Sequence, residues 1–236
     1  MISDLQIWPV YQPVYHIETM EVIANEALIR STSGTPGEIF ALAKLQNKET
    51  LLDIRCFQLA CENAPRHTPV FVNLLPSTLV ALSKRLRVFE SSLKKLPSPE
   101  NLILEILEME SIKKYHEVIE AVLSLRERYG IRISLDDMAN GYNRLGLLAE
   151  LQPNFVKLNG PLVRNCDTDP YKQSLLRIWV DFSQSVTNVA LIAETVETDA
   201  ELETIIQIGI PFAQGFVFNK RPLEVLDYEE KKLYGI

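Results

Sequence analysis

The chain has 236 residues, of which 47% are apolar and 23% charged, an ordinary balance for a folded protein with one large core or two small ones. A formal net charge of -7 argues against a general binder of nucleic-acid polymers, whose affinity rests on a basic face that neutralises phosphates. No apolar run approaches the roughly 18 residues expected of a membrane helix; the longest, "IIQIGIPFAQGFVF", is broken by Gly209, Pro211, Gln214 and Gly215.

The opening "MISDLQIWPVYQ" lacks the basic cluster and long apolar segment of a signal peptide, so a cytoplasmic protein is expected. Eight strand-like segments follow in chain order: "PVYQPVYHI", "EVIANEALI", "PVFVNLL", "NLILEIL", "IRISLDD", "NFVKLN", "NVALIAE" and "FAQGFVF". From about Thr50 onward, helical patterns fall between them: "ETLLDIRCFQLACENA", "KKYHEVIEAVLSLRERYG", "PYKQSLLRIWVDFSQSV" and "DAELETIIQIG". Gly130 and Gly209 stand where the second and fourth of these need C-terminal caps. Strand alternating with helix, eight strands in all, predicts an α/β fold: a TIM-type (β/α)8 barrel with an irregular first strand, or an open doubly wound sheet. No repeat, low-complexity tract or convincing linker divides the chain, so residues 1–236 read as one barrel domain.

Cys56, Cys61 and Cys166 are an odd number at no metal-binding spacing, which fits buried thiols in a reducing compartment better than disulfides or zinc. His16, His67 and His116 are scattered, with no partner at ligand spacing, and read as surface or strand-edge residues. A hydrolase built on histidine is therefore not expected.

The polar residues of the strands carry the chemical signal. Asn73, Glu105, Asp136, Lys157 and Glu194 each close an apolar strand segment, and Gln214 lies in the last one. In a barrel the C-terminal strand ends meet on one face, where this architecture builds its active sites. Any one of the six could cap a loop; six together point to a site. Carboxylates and an amide oxygen without Cys or His make a hard oxygen site, suited to Mg²⁺ or Mn²⁺ rather than zinc or copper. The adjacent Asp136 and Asp137 have two readings, a cap or Asx turn and a pair that serves one or two divalent ions, as phosphoryl transfer requires. Lys157 among these acids either orients a nucleophilic water or holds the carboxylates apart as a salt bridge.

Glu26, Ala27 and Leu28, within "NEALIR", resemble the tripeptide that names the EAL family of cyclic di-GMP phosphodiesterases. The family's other segments recur in order: "YQPVY", "LLDIRCFQLA", "FVNLLPSTL", "LILEILE", "LDDMANGY", "FVKLN", "AETVE" and "AQGFVFNKRPL", from about Gln12 to Leu223. The resemblance implies hydrolysis of cyclic di-GMP to linear pGpG with one or two Mg²⁺ or Mn²⁺ ions per chain. Glu26, Asn73, Glu105 and Asp136 would hold one metal, with Asp136 shared and Asp137 completing a second site. Glu194 would sit at that second metal or act as base, and Lys157 would hold the attacking water. Glu108 and Glu197 would steady loop and ligands, Arg30 would meet a phosphate, and Gln12 and Gln214 would line the site. Cyclic di-GMP is the expected partner, with a homodimer a further expectation and neither membrane nor nucleic-acid polymer expected.

The sequence departs from the family at several points. The loop after the double aspartate usually reads Phe-Gly-Thr-Gly-Tyr; here Met138, Ala139 and Asn140 replace the first three, while Gly141 and Tyr142 persist. Losing a glycine there restricts the backbone and weakens the second metal site, so reduced activity is expected. Asn154 and Asn159 stand where acids are usual, Thr195 where Gly is usual, and Ser31 where an aromatic often follows the arginine. A catalytically weak or inactive domain that binds cyclic di-GMP or a protein partner is the competing expectation. On its length the chain is expected to carry no fused sensory or cyclase domain, which would put regulation in oligomerisation, a separate partner or expression.

Overall fold

The structure is a computed structural model that describes residues 5–107, 115–136 and 144–220. Eight strands form a closed barrel in chain order: β1 (Ile7–His16), β2 (Val22–Ser31), β3 (Val70–Leu74), β4 (Leu102–Ile106), β5 (Arg132–Leu135), β6 (Phe155–Leu158), β7 (Ala190–Ala193) and β8 (Phe212–Ala213). Strands β2 to β8 pair in parallel, whereas β1 runs antiparallel to both of its neighbours. This is the barrel the sequence predicts, and its irregularity lies in the first strand. The open doubly wound alternative is excluded by closure.

The helices are α1 (Pro36–Leu45), α2 (Glu49–Glu62), α3 (Pro76–Lys84), α4 (Leu86–Leu93), α5 (Tyr115–Tyr129), α6 (Arg144–Leu151), α7 (Gly160–Val163), α8 (Pro170–Ser185) and α9 (Asp199–Ile208). The four predicted helices are α2, α5, α8 and α9, and the two predicted glycine caps hold, with φ of 68° at Gly130 and 96° at Gly209. Three of the unpredicted helices, α1, α3 and α7, start on a proline within the first turn, where the ring costs no hydrogen bond. Among the described residues no helix is long and apolar enough to cross a membrane.

The predicted eighth strand, 212–218, is corrected to two residues. Gly215, at φ 154°, lies so close to the backbone of Val196 that any Cβ would collide with it. Val196 N–H donates to Gln214 O at 3.2 Å and Val217 N–H donates to Val196 O at 3.0 Å, so the chain leaves the sheet to clasp the loop after β7. Phe216–Lys220 then forms a 3-10 turn.

Because helices cover the outside and side chains fill the inside, the parallel strands are buried on both faces, as all five residues of β4 are. Inside the lower barrel, Val14, Ala24, Phe71, Ile103, Phe155 and Ile192 form an apolar plug, with Phe71 and Phe155 edge to face at 5.2 Å. A larger core lies between strands and helices; it includes Cys61 and Cys166, and Cys56 belongs to a smaller cluster beneath α1. All three cysteines are free and buried, as expected. His16 ends β1 edge-on to Phe212, and His67 and His116 are exposed.

Candidate active site

Side chains two residues apart on a strand share a face. Two residues beyond the plug residues Ala24, Phe71, Ile103, Phe155 and Ile192 stand Glu26, Asn73, Glu105, Lys157 and Glu194. Phe212, which packs on the plug, is followed two residues later by Gln214. On β1, which runs the other way, Gln12 precedes Val14 by two and pairs with Glu26. The polar set is thus one layer of the barrel interior, resting on an apolar layer at the C-terminal mouth.

Lys157 is the centre of this layer. Its side chain is fully buried, and Nζ lies 2.8 Å from Glu26 Oε2, 2.8 Å from Glu105 Oε2 and 2.9 Å from Glu194 Oε1. Nζ also donates to Glu105 Oε1 at 2.8 Å, so the ammonium contacts both oxygens of that carboxylate. Gln214 Nε2 donates to Glu26 Oε2 at 2.6 Å and to Glu194 Oε1 at 3.2 Å, and Asn73 Nδ2 donates to Glu26 Oε1 at 2.9 Å. Phe71 lies beneath, its ring centroid 5.4 Å from Nζ.

One ammonium cannot neutralise this many carboxylates. Burial raises the pKa of Glu26, but the charge of Lys157 and hydrogen bonds from Lys157, Gln214 and Asn73 outweigh it and hold the group below its ordinary value. Glu105 is held well above the carboxylate range by burial, with Lys157 pulling it down and Glu26, Asp136 and Glu194 pushing it up. Burial, opposed by Lys157 and reinforced by Asp136 and Glu26, takes Glu194 up to about 7. Burial alone would lower Lys157, but Glu105, Glu194, Glu26 and Asp136 together raise it well above its usual value, so it stays charged.

A divalent cation fits this donor set. Glu26, Glu105 and Glu194 each offer a carboxylate oxygen within 4.8 Å of the others. The surplus negative charge would be relieved by a hard cation, and oxygen ligands without Cys or His suit Mg²⁺ or Mn²⁺. Asn73 is bonded to Glu26, and the charge of Asp136 acts on Glu105 and Glu194, so both lie near this group.

The remaining expected residues are placed as follows. Arg30 is exposed near the end of β2, with Nη1 donating to Ile29 O at 3.1 Å. Glu197, partly exposed, pairs with Arg164 at 2.8 Å. Asp137, Glu108 and the altered loop Met138 to Tyr142 lie outside the described residues.

Three residues that the sequence analysis passed over support the site. Asp53, on α2, accepts from Leu75 N–H at 2.9 Å and so ties down the turn after Asn73. Glu201 accepts from the backbone N–H groups of Asn165, Glu197 and Thr198 at 2.8, 2.9 and 3.0 Å, joining the loops after β6 and β7. Its signal was the capping-box spacing Thr198 to Glu201 at the start of α9. Ser134 is fully buried, pairs in register with Glu105 and lies two residues before Asp136.

Thr195 explains one departure. It follows Glu194 with φ 53°, a left-handed conformation costing roughly 1–2 kcal/mol outside glycine. Its hydroxyl donates to Glu194 O at 2.7 Å and lies 2.5 Å from where a Cβ of Gly160 would stand, so a side chain at 160 would displace this hydroxyl.

The model of the EAL domain matches residues 1–221. The chain belongs to the EAL domain family. Among curated relatives, this EAL domain is 26% identical over 199 residues to the probable cyclic di-GMP phosphodiesterase PdeA of Escherichia coli, covering 82% of this chain and 27% of that one. It is also 26% identical over 218 residues to the blue light- and temperature-regulated antirepressor BluF of the same species, covering 90% of this chain and 54% of that one. The chain therefore spans about a quarter to a half of those relatives. Among solved structures, Klebsiella pneumoniae BlrP1 in a calcium and cyclic di-GMP complex superposes with a TM-score of 0.77 at 26% identity, covering 92% of this EAL domain and 56% of that chain.

Proposed function

We propose that the protein is a metal-dependent phosphodiesterase that opens cyclic di-GMP to linear pGpG in the cytoplasm. The observation that carries this reading is the buried ring of Glu26, Glu105 and Glu194 around Lys157 at the barrel mouth, with more negative charge than the lysine can offset. Glu26, Asn73, Glu105 and Asp136 would hold one Mg²⁺ or Mn²⁺, and Asp137 with Glu194 a second. When bound, such ions polarise phosphoryl oxygens and make water a better nucleophile at neutral pH. The residues do the rest. Glu194, with its pKa up to about 7, is suited to accept the proton of the attacking water near neutral pH. Lys157 stays protonated and holds Glu26, Glu105 and Glu194 in fixed positions around the reacting phosphate. Arg30 meets a phosphate from the rim, and Gln12 and Gln214 orient groups within the layer. Water adds to phosphorus, the bond from phosphorus to the 3′ oxygen breaks, and that oxygen leaves with a proton; the 5′ phosphate remains on pGpG.

The test is incubation of the pure protein with cyclic di-GMP and Mn²⁺ or Mg²⁺, followed by chromatography for pGpG. EDTA is expected to abolish product, and Mn²⁺ or Mg²⁺ to restore it. Ca²⁺ is expected not to, because its bonds of about 2.3–2.6 Å, against about 2.0–2.1 Å for Mg²⁺, leave water and phosphate poorly aligned. Full rescue by Ca²⁺, or turnover unaffected by EDTA, overturns the mechanism. The competing reading is a domain that binds cyclic di-GMP or a partner without turnover; that BluF is named an antirepressor supports the partner-binding form of it. Calorimetric binding without product in every metal would decide for it.

A homodimer belongs to the same proposal. Helices α6 and α8 line a groove of about 760 Å³ that includes Leu145, Leu148, Ile178, Trp179 and Phe182. Leu145 and Ile178 leave 71% and 61% of their surface exposed. Arg177 and Asp181, both exposed, flank this stripe one turn apart. An antiparallel pairing of α8 with its copy about a two-fold axis near Trp179 sets Arg177 against the partner subunit's Asp181, twice by symmetry. Ile178→Glu is expected to convert the dimer to a folded monomer in sedimentation. An unchanged sedimentation coefficient rules out this face.

A further inference from the structure

We propose that Trp8 is a stacking platform for a guanine base of the bound cyclic dinucleotide; this rests on the cyclic di-GMP reading above and names a specificity residue for it. The inference comes from the antiparallel ladder of β1 and β2, which pairs Gln12 with Glu26, Val10 with Leu28 and Trp8 with Arg30. Residues directly opposite each other share a face, and side chains alternate along a strand, so these six belong to one face of the ribbon.

The other face is identified by its contacts. Tyr11 is buried, and its hydroxyl donates to Ala60 O on α2; Ile7 and Ile29 pack against the cluster of Ile39, Ala43, Leu52 and Cys56 on α1 and α2. The odd-numbered residues therefore point to the helices. The even-numbered ones point to the barrel side, where Glu26 belongs to the carboxylate layer. Four residues separate Glu26 from Arg30, so the ribbon rises about 13 Å above that layer at about 3.3 Å per residue. Val10 and Leu28, both half-buried, form its middle step, with Trp8 and Arg30 above them.

Trp8 leaves 43% of its surface exposed, and among the described residues no aromatic ring or cation packs on it. An indole beside a guanidinium on a wall that rises from a phosphate-cleaving centre matches the parts of a nucleotide. The base lies on the ring, and the phosphate faces the fork of the arginine. Every base has a π-face, but a purine covers more of an indole than a pyrimidine does, so the wall prefers purine dinucleotides.

The chain has two tryptophans, Trp8 and Trp179. In a Trp179→Phe background, emission from Trp8 is expected to be quenched by cyclic di-GMP added with EDTA or Ca²⁺, saturating at the concentration at which calorimetry reports binding. Cyclic di-UMP is expected to quench it less. In steady-state kinetics with Mn²⁺, Trp8→Ala is expected to raise KM for cyclic di-GMP about tenfold, as loss of one base stack implies. The loss in kcat/KM then resides in KM, because the stack is made equally in ground and transition states. Trp8→Phe is expected to recover most of the affinity, which a merely structural role of the indole does not foresee. Normal calorimetric affinity with Trp8 emission unchanged, or an unaltered KM in Trp8→Ala, overturns this inference and leaves the phosphodiesterase reading intact. No binding of cyclic di-GMP by the unaltered protein removes both.

Discussion

Glu105→Gln is expected to cost at least about a thousandfold in turnover of cyclic di-GMP while the melting temperature of the metal-free protein at pH 7.5 stays level or rises. Three decades correspond to roughly 4 kcal/mol of transition-state stabilisation, within what a metal centre supplies. The stability half of the result follows from the sign of the pKa shift. Glu105 is raised well above its ordinary value in the folded state, chiefly by burial. Such a group contributes stability below its unfolded pKa and loses it as pH rises through the folded pKa. At neutral pH its ionisation opposes folding, and glutamine fixes the neutral form. Glu26→Ala and Asn73→Ala are expected to abolish turnover as well. Glu26, however, is held below its ordinary value by Lys157, Gln214 and Asn73, so its removal costs stability too. Turnover near that of the unaltered protein in all three variants, with folding verified by circular dichroism, removes these residues from the metal site. A sharp fall in the melting temperature of Glu105→Gln refutes the charge-surplus account separately.

The site's composition was legible in sequence because barrel strands place inward residues at a period of two. Phe71 then Asn73, Ile103 then Glu105, Phe155 then Lys157 and Ile192 then Glu194 each read as an apolar residue with a polar one a step above it. A salt bridge from Lys157 to these acids was one of two sequence readings, but which carboxylates it reaches was not legible, since Lys157 and Glu26 are 131 residues apart in sequence and only barrel closure brings them within 2.8 Å. Local pattern also failed where tertiary contact decides conformation. "FAQGFVF" has the composition of a strand, yet the approach of Gly215 to Val196 turns it away after two residues. The short helices α3, α4 and α7 carry too few turns for a periodicity to stand out. The sequence marked Thr195 only as a residue standing where the family usually has glycine; its left-handed φ, and the hydroxyl bonded to Glu194 O that accompanies it, required the structure. The place of Trp8 above the mouth required the register of β1 on β2, which a sequence pattern does not supply.

Lys157→Met is expected to be the most destabilising single change in the barrel, lowering the melting temperature by about 10 °C or more at pH 8 and eliminating turnover. Methionine fills much of the volume beside Phe71, so the loss is electrostatic rather than a cavity. Removing one partner of a buried ion pair costs about 3–5 kcal/mol because the other charge stays buried without compensation, and here three glutamates are left. For a domain of this size that range corresponds to roughly 6–20 °C. The dependence on pH distinguishes this cause from a packing defect. In the unaltered protein Glu26 has a lowered pKa, so it contributes stability above its unfolded pKa, and this is lost as pH falls through the folded value. Without the ammonium, Glu26 joins Glu105 and Glu194 in being raised by burial, and a raised group loses stability as pH rises. The difference in melting temperature between the two proteins is therefore expected to be large at pH 8 and to shrink toward pH 5, where the carboxyls protonate. Mn²⁺ is expected to recover more stability in Lys157→Met than in the unaltered protein, because the cation then enters a cage with no competing charge, while turnover stays absent for want of the ammonium. Equal losses at pH 5 and pH 8, or no greater response to Mn²⁺, would show that Lys157 serves packing rather than the charge of the site.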